Sequence, residues 1–286
     1  MIKIFTDTSA NLPEELVKKL NIGVIPFSYS INGVEATDEE TKNFDGQKYY
    51  NAMRNGAMVK TSMVNSAVFG EYLRKSLEKG DDIIYIGMSG GISGTAQAAK
   101  ITVEELKEEF PDRKIAAIDT LAASLGEGLQ VIKAAEMLAS GATFEQITDC
   151  IENSKHFMCQ YFTVDDLEYL KRGGRIGKVA TAIGTVLKIK LILTGNADGK
   201  IVMCGKTRGK QKSLVDLAER YDKLCKDKTA QIGIAHADDN DGADALLTEL
   251  INRGFSGDCL TVCYEPVTGS HVGPGTVALF FEGIEK

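Results

Sequence analysis

The stretch Ile83–Phe110, IIYIGMSGGISGTAQAAKITVEELKEEF, limits the folds open to this chain more than any other. Ile83 to Met88 is a short apolar, β-branched run, the pattern of a buried strand. Ala99, Val103, Leu106 and Phe110 then recur at helical spacing, so one face of a helix is buried. Between them Gly87 to Thr95 is almost wholly glycine and hydroxyl residues. Strand, glycine-rich turn and helix together aim free backbone N–H groups and the positive end of a helix dipole at one point, where an anion can sit. A tight turn that needs glycine only for its backbone angles is the plainer alternative.

The rest of the first half repeats that alternation. Strands are expected at Ile2–Phe5, Ile22–Ile31 and Lys114–Ile118. Helices are expected at Leu12–Leu20 with Asn11 as cap, Phe44–Arg54, Ser66–Lys79 and Ser124–Ala139. Thr143 with Gln146 is a capping box for one more helix, to about Asn153. Strands separated by helices imply a mainly parallel sheet with helices on both faces. The second half has another rhythm. A strand at Met158–Val164 precedes a short helix halted at Arg172-Gly173-Gly174, and Asp198-Gly199 turns a hairpin between Leu191–Thr194 and Ile201–Cys204. Strands at Gln231–Ala235, Leu260–Tyr264 and Thr276–Phe281 alternate with helices at Ser213–Lys226 and Gly242–Arg253. The expected architecture is α/β with two domains, 1–155 with a mainly parallel sheet and 156–286 with a mixed α+β sheet.

Composition removes whole classes of function. At 286 residues and net charge -7 the chain lacks the basic surface that nucleic-acid binding needs. No apolar run approaches the ~20 residues that span a bilayer, and the first residues lack the apolar core of a signal peptide. Six cysteines without a CxxC pair read as reduced thiols. A soluble, cytoplasmic protein is expected.

In an open parallel sheet, ligands sit beyond the carboxyl ends of the strands. Asp7-Thr8-Ser9, Ser89 and Ser93, and Asp119-Thr120 with Ser124 gather at that edge, with Thr61-Ser62 just before a helix. Each alone fits a helix cap, and their convergence is what suggests a site. Hydroxyls and glycines suit holding an anion better than breaking a bond, and no nucleophile has an evident base, so no catalytic residue is assigned. Gly199 to Thr207 resembles a nucleotide loop, but five residues separate its glycines where that motif has four. Gly126-Glu127-Gly128 is half of a dinucleotide fingerprint within a helix, where close packing explains it better. His156 with Cys159 and His236 with Asp238 are isolated pairs without a third ligand, so no metal site is assigned. Two basic clusters stand out, Lys171 to Lys178 and Lys206 to Lys212, as does His271 in the glycine- and hydroxyl-rich run Gly269–Thr276.

These segments, in order, resemble the DegV family of bacterial fatty-acid-binding proteins. The matches run from Asp7-Thr8-Ser9 through Lys60-Thr61-Ser62, Ile92-Ser93-Gly94-Thr95, Asp119-Thr120 and Leu167 to Arg175. They continue through Leu187-Lys188, Lys206-Thr207-Arg208-Gly209, His236-Ala237-Asp238 and Thr268 to Thr276. Met63-Val64-Asn65 departs from the pattern, since many members carry a proline before that helix. The resemblance implies one long-chain fatty acid, such as palmitate, in a tunnel between two α/β domains, and no cofactor. It implies that Thr61 and Ser93 hydrogen-bond the carboxylate, with Ser62 and Gly94 beside them. His271 would lie close to that head group, and Arg172 or Arg175 near the mouth as a partner or phosphate contact. In kinase-coupled members a separate ATP-dependent fatty acid kinase phosphorylates the carboxylate. A phosphotransfer-type enzyme acting on a small phosphorylated metabolite and a regulatory interaction module remain the competing readings.

Overall fold

The computed structural model describes residues 1–37, 44–176 and 189–286. In its first half the described elements are β1 (Ile2–Asp7), α1 (Glu14–Lys19), β2 (Gly23–Ile25), β3 (Ser28–Ile31), β4 (Val34–Thr37), α2 (Gly46–Arg54), β5 (Val59–Ser62) and α3 (Ser66–Leu77). They continue with β6 (Asp82–Gly87), α4 (Thr95–Glu109), β7 (Ile115–Asp119), α5 (Leu125–Ala139) and α6 (Phe144–Ser154). The second half holds β8 (Met158–Thr163), α7 (Glu168–Gly173), β9 (Ile189–Gly195), β10 (Ile201–Arg208) and α8 (Lys210–Leu224). It ends with β11 (Ile232–His236), α9 (Asn240–Asn252), β12 (Cys259–Cys263), α10 (Pro266–Val272) and β13 (Val277–Glu282).

A parallel sheet in the order β2-β1-β6-β7 forms the first half, and a mixed sheet in the order β10-β9-β8-β13-β11-β12 forms the second. Strand alternation assigns each side chain to a layer. Ile83 and Tyr85 of β6 enter one core, whereas Ile84 and Ile86 enter another under α5 and α6. Leu279 and Phe281 of β13 pack beneath α8 and α9, whereas Ala278 and Phe280 face the other way. The inward faces of the two sheets share one apolar cluster, which includes Phe27 and Met88 from the first half and Phe162, Leu193 and Phe280 from the second. The two halves therefore fold against a common core.

Three expectations need correction. The single extended run at Ile22–Ile31 is two strands in different sheets, because Pro26 lacks the N–H that would continue the ladder. After it the chain enters a small antiparallel sheet, β4-β3-β5, with Asn32 and Gly33 at φ 52° and 84° forming the hairpin turn. Thr61 thus lies on a strand that sequence patterning misses. The Gly269–Thr276 run, expected as a loop, is helical in its first part, where α10 occupies Pro266–Val272, and only Gly273 to Thr276 forms a turn. Its short span and internal glycine hide it, but Pro266 in the first turn after Glu265 is a helix-start signature. Glu265 accepts backbone hydrogen bonds from Val267 and Thr268.

Finally, Asn11 does not cap α1, which begins after Pro13. It adopts a left-handed φ of 57°, and its side chain crosses to the other half. There Nδ2 donates to the Cys263 carbonyl at 3.0 Å and Oδ1 accepts from the Glu265 N–H at 3.2 Å. Because glycine suits the same backbone angle, Asn11→Gly isolates the side-chain bonds. It is expected to lower unfolding stability by about 1–3 kcal/mol, read from the urea midpoint. An unchanged midpoint would mean the carboxamide bonds carry no net stability.

Candidate functional site

A cavity of about 820 Å³, counting its opening, lies within the shared core. Phe27, Met88, Phe162, Val267 and Phe280 make its walls apolar. Thr61, Ser93, Arg175 and His271 also line it. A second, outer cavity of about 1000 Å³, open solvent at its mouth included, shares Thr61, Arg175 and His271, so these three residues stand where the interior meets the outside.

Each of these polar groups is delivered by a different element. In β5 alternate residues point to opposite sides, and Thr61 turns inward while Ser62 is exposed. Ser62 therefore does not join the group. Ser93 leads into α4, where its hydroxyl donates to Thr95 Oγ1 at 2.9 Å and accepts from the Thr95 N–H at 3.2 Å. Gly94 is the N-cap of α4 and lines a separate shallow pocket on the outer side with Gln97 and Lys100. The missing proline after Ser62 is made good by Asn65, which caps α3 by accepting from the Val68 N–H at 3.1 Å.

His271 sits in the last turn of α10, with Nε2 3.0 Å from Thr61 Oγ1. Its other ring nitrogen packs on Gly173 of α7, where a Cβ would come within 2.2 Å of Nδ1. Gly269 is required for a similar reason, since a Cβ there would come within 1.9 Å of the Tyr50 hydroxyl. That hydroxyl donates to the Tyr264 carbonyl at 2.8 Å, and Tyr49 donates to the Pro266 carbonyl at 2.7 Å. Two tyrosines of α2 thereby hold the start of α10.

Burial, and after it the neighbouring Arg175 guanidinium, push the His271 imidazole down to about 4. The ring is neutral across the physiological range. Burial also lowers Arg175, whose Nε donates to the Ile92 carbonyl at 3.1 Å and whose Nη1 donates to the Gly173 carbonyl. Arg172 faces the outer cavity, its guanidinium carbon 4.7 Å from the centre of the Tyr169 ring. Among the described residues neither arginine is paired with a carboxylate. Among the described residues the positive charge at the junction of the two cavities is offset by no ion pair.

The other hydroxyl and acidic residues of the sheet edge are used internally. Asp7 accepts from Ser9 and Tyr85, Thr8 accepts from the Phe27 N–H, and Asp119 accepts from the N–H groups of Gly90 and Leu121. The Gly90-Gly91 pair does not clear space for a ligand. A Cβ on Gly90 would meet the Asp119 carboxylate at 2.8 Å, and one on Gly91 would meet the Asp198 carbonyl at 2.5 Å. The tip of the β9–β10 hairpin fills that space, secured by Ser89 Oγ donating to the Gly199 carbonyl at 2.9 Å. Of the sheet-edge hydroxyls, Ser93 and Ser124 reach the cavity.

Of the basic clusters, Lys210 pairs with Asp239 at 2.6 Å, while Gly177, Lys178, Leu187 and Lys188 lie outside the described residues. His236 accepts from the Asp239 N–H at 3.3 Å, and no group of three or more potential metal ligands is assembled among the described residues. No helix among them is long and apolar enough to cross a membrane. Gln160 and Thr268, which sequence reasoning missed, also line the cavity. The signal for Gln160 was a lone polar side chain on the strand face shared by Met158 and Phe162.

The His271 shift gives stability a sign. Its folded value lies below the unfolded 6.5, so the contribution is complete above about pH 6.5 and is lost as pH falls towards 4. In NMR titration the His271 ring is expected to show a midpoint about 4. His271→Gln is expected to flatten the fall in stability across that window. A ring titrating near 6.5 would contradict the buried, neutral assignment.

Comparison with known proteins agrees with this architecture. The family model described as "Uncharacterised protein, DegV family" matches residues 1–283. A DegV domain-containing protein of Clostridium perfringens is 39% identical over 285 residues, covering 99% of this chain and 98% of the relative. A DegV family protein of Thermus thermophilus, described by its fatty acid binding, superposes with a TM-score of 0.88 at 30% identity and 99% coverage of both chains. A fatty acid binding DegV family protein of Streptococcus agalactiae does so with 0.85 at 28% identity, covering 98% of each chain. With a family match over nearly its whole length and the same fold in both solved relatives, this chain belongs to the DegV family.

Proposed function

We propose that this protein binds one long-chain fatty acid in the cavity, tail inward and carboxylate at the junction of Thr61, Ser93, Arg175 and His271. The carrying observation is an apolar interior that ends at neutral donors beside a half-buried arginine that no carboxylate pairs among the described residues. The fatty acid binding of the two solved relatives supports the reading. Residues 1–155 and 156–286 are read as two domains with the ligand between them.

The division of labour follows from magnitudes. Burying about fourteen methylenes at ~0.8 kcal/mol each gives roughly 11 kcal/mol before the costs of association. A hydrogen bond to a carboxylate contributes about 1.5–3 kcal/mol. The tail sets affinity, and the hydroxyls set orientation. In the bound state Thr61 donates to the carboxylate, and its oxygen accepts from His271 Nε2–H, which selects that tautomer. Arg175 supplies the charge that a neutral imidazole does not. Such a site holds its ligand without chemistry of its own, and a separate ATP-dependent kinase then phosphorylates the presented carboxylate. Arg172, in the outer cavity, meets that partner or the transferred phosphate.

Native mass spectrometry of protein purified from cells, followed by lipid extraction, is expected to find one fatty acid per chain. Protein that arrives empty and takes up no added fatty acid after delipidation would sink the reading. Turnover of a phosphorylated metabolite by the chain alone would favour an enzyme instead. With a cognate kinase, Ser93→Ala is expected to keep its lipid and slow phosphorylation roughly 10- to 100-fold. Phosphorylation at the original rate would remove Ser93 from the head-group site.

A further inference from the structure

Met63 belongs to the interior and to the surface at once. It lines the inner cavity and is 47% exposed, whereas every other described residue lining that cavity is buried or half-buried. The shallow outer pocket shares Ile92 and Ser93 with the inner cavity, so the turn before α4 is a partition with a hollow on each side. Ile92 and Ser93 give that partition side chains, and Gly94 gives it none. The Met63 thioether occupies the vacant place, since a Cβ on Gly94 would come within 2.8 Å of Met63 Sδ. Beside Gly94 the cover over the cavity is therefore one methionine side chain.

The backbone around this cover is held. Ser62 pairs with Ser28 in the small sheet, the Val64 N–H donates to Thr95 Oγ1 at 3.3 Å, and Asn65 caps α3. Opposite, the Ser93 N–H donates to the Ser89 carbonyl at 3.1 Å, and Arg175 Nε donates to the Ile92 carbonyl. The Met63 side chain can move while these bonds stay made. Methionine is unbranched with three rotatable bonds, and exposed side chains change rotamer in picoseconds to nanoseconds. Passage through the other opening, towards the outer cavity, is harder for an apolar chain. It would part the Thr61–His271 hydrogen bond and draw methylenes past a guanidinium tied to two backbone carbonyls.

We propose that Met63 is the gate through which the acyl tail enters and leaves the inner cavity. The tail passes first, between the displaced thioether and Gly94. The carboxylate follows and stops at Thr61, two residues before Met63, and at Ser93, one residue before Gly94. This rests on the fatty-acid reading and adds the route of exchange. The gate and the outer cavity are separate openings, so a partner seated at Arg172 leaves the tail's route free.

The test measures uptake of parinarate, a fluorescent fatty acid, by delipidated full-length protein in stopped flow, and its release into excess hexadecanoate. In Met63→Ala both rates are expected to rise about ten-fold, with their ratio, and so the affinity, changed by less than about three-fold. Gly94→Ala acts on the gate from the other side. Its backbone φ of -71° suits alanine, and the added Cβ displaces the Met63 sulfur, so both rates are again expected to rise. Should one variant not fold, the other carries the comparison. Met58→Ala, at the outer cavity, is expected to leave both rates within about two-fold of the original. A rise in release alone would make Met63 an ordinary wall contact and overturn the proposal. Unchanged rates in both gate variants, or faster exchange in Met58→Ala instead, would also overturn it while the fatty-acid reading stands. If the unaltered protein takes up no fatty acid, that reading fails first.

Discussion

The site depends on how the second half's segment from Cys263 to Pro266 is gripped by the first half. Asn11 takes the carbonyl of Cys263 and the N–H of Glu265, Tyr50 takes the carbonyl of Tyr264, and Tyr49 that of Pro266. These are backbone groups at a strand end and a helix start, where they would otherwise be orphaned. Side chains far away in sequence satisfy them, so the position of α10 is set by the first half. His271 rides on that helix, and its distance from Thr61 follows from tyrosines that never touch the cavity.

The same economy governs charge. Ser9 Oγ lies 2.7 Å from Glu127 and also donates to Asp7, and both carboxyls are fully buried. One hydroxyl has one proton, so a protonated Glu127 completes the chain while Asp7 keeps donors from Ser9 and Tyr85. Burial, and then the proximity of Asp7, raise Glu127 well above the usual carboxylic range, in keeping with that assignment. One of the two negative charges is thus retired within the first half's core, and among the described residues no carboxylate pairs with the arginines where the cavities meet. The contrast makes that junction attractive to an anion.

Much of this was legible in the sequence. The parallel strands and their helices announced themselves by period, and the capping box at Thr143 is formed as expected, with Gln146 Oε1 accepting from the Thr143 N–H at 2.9 Å. What escaped was structure made by distant partners. β5 is four residues with no apolar alternation and exists because β3 pairs with it. α10 contains a glycine that ordinary propensity counts against, yet that glycine gives the Tyr50 hydroxyl its room. Ser62 and Thr61 are indistinguishable in composition, and only the pleat separates an inward hydroxyl from an exposed one.

The docking of the β9–β10 hairpin on the Gly90-Gly91 turn has a consequence for how such a cavity can diversify. Its contacts there are largely main chain against main chain, with Gly91 facing the Asp198 carbonyl and Gly199 held by a serine hydroxyl. A seam made of backbone does not record the identity of neighbouring side chains. The residues that shape the interior are therefore free to vary from one relative to another while the closure over them stays the same, so long as no residue at Gly91 acquires a Cβ. Ligand preference and the integrity of the enclosure are separable in this fold, and a new specificity can arise without reopening the problem of how the two halves meet.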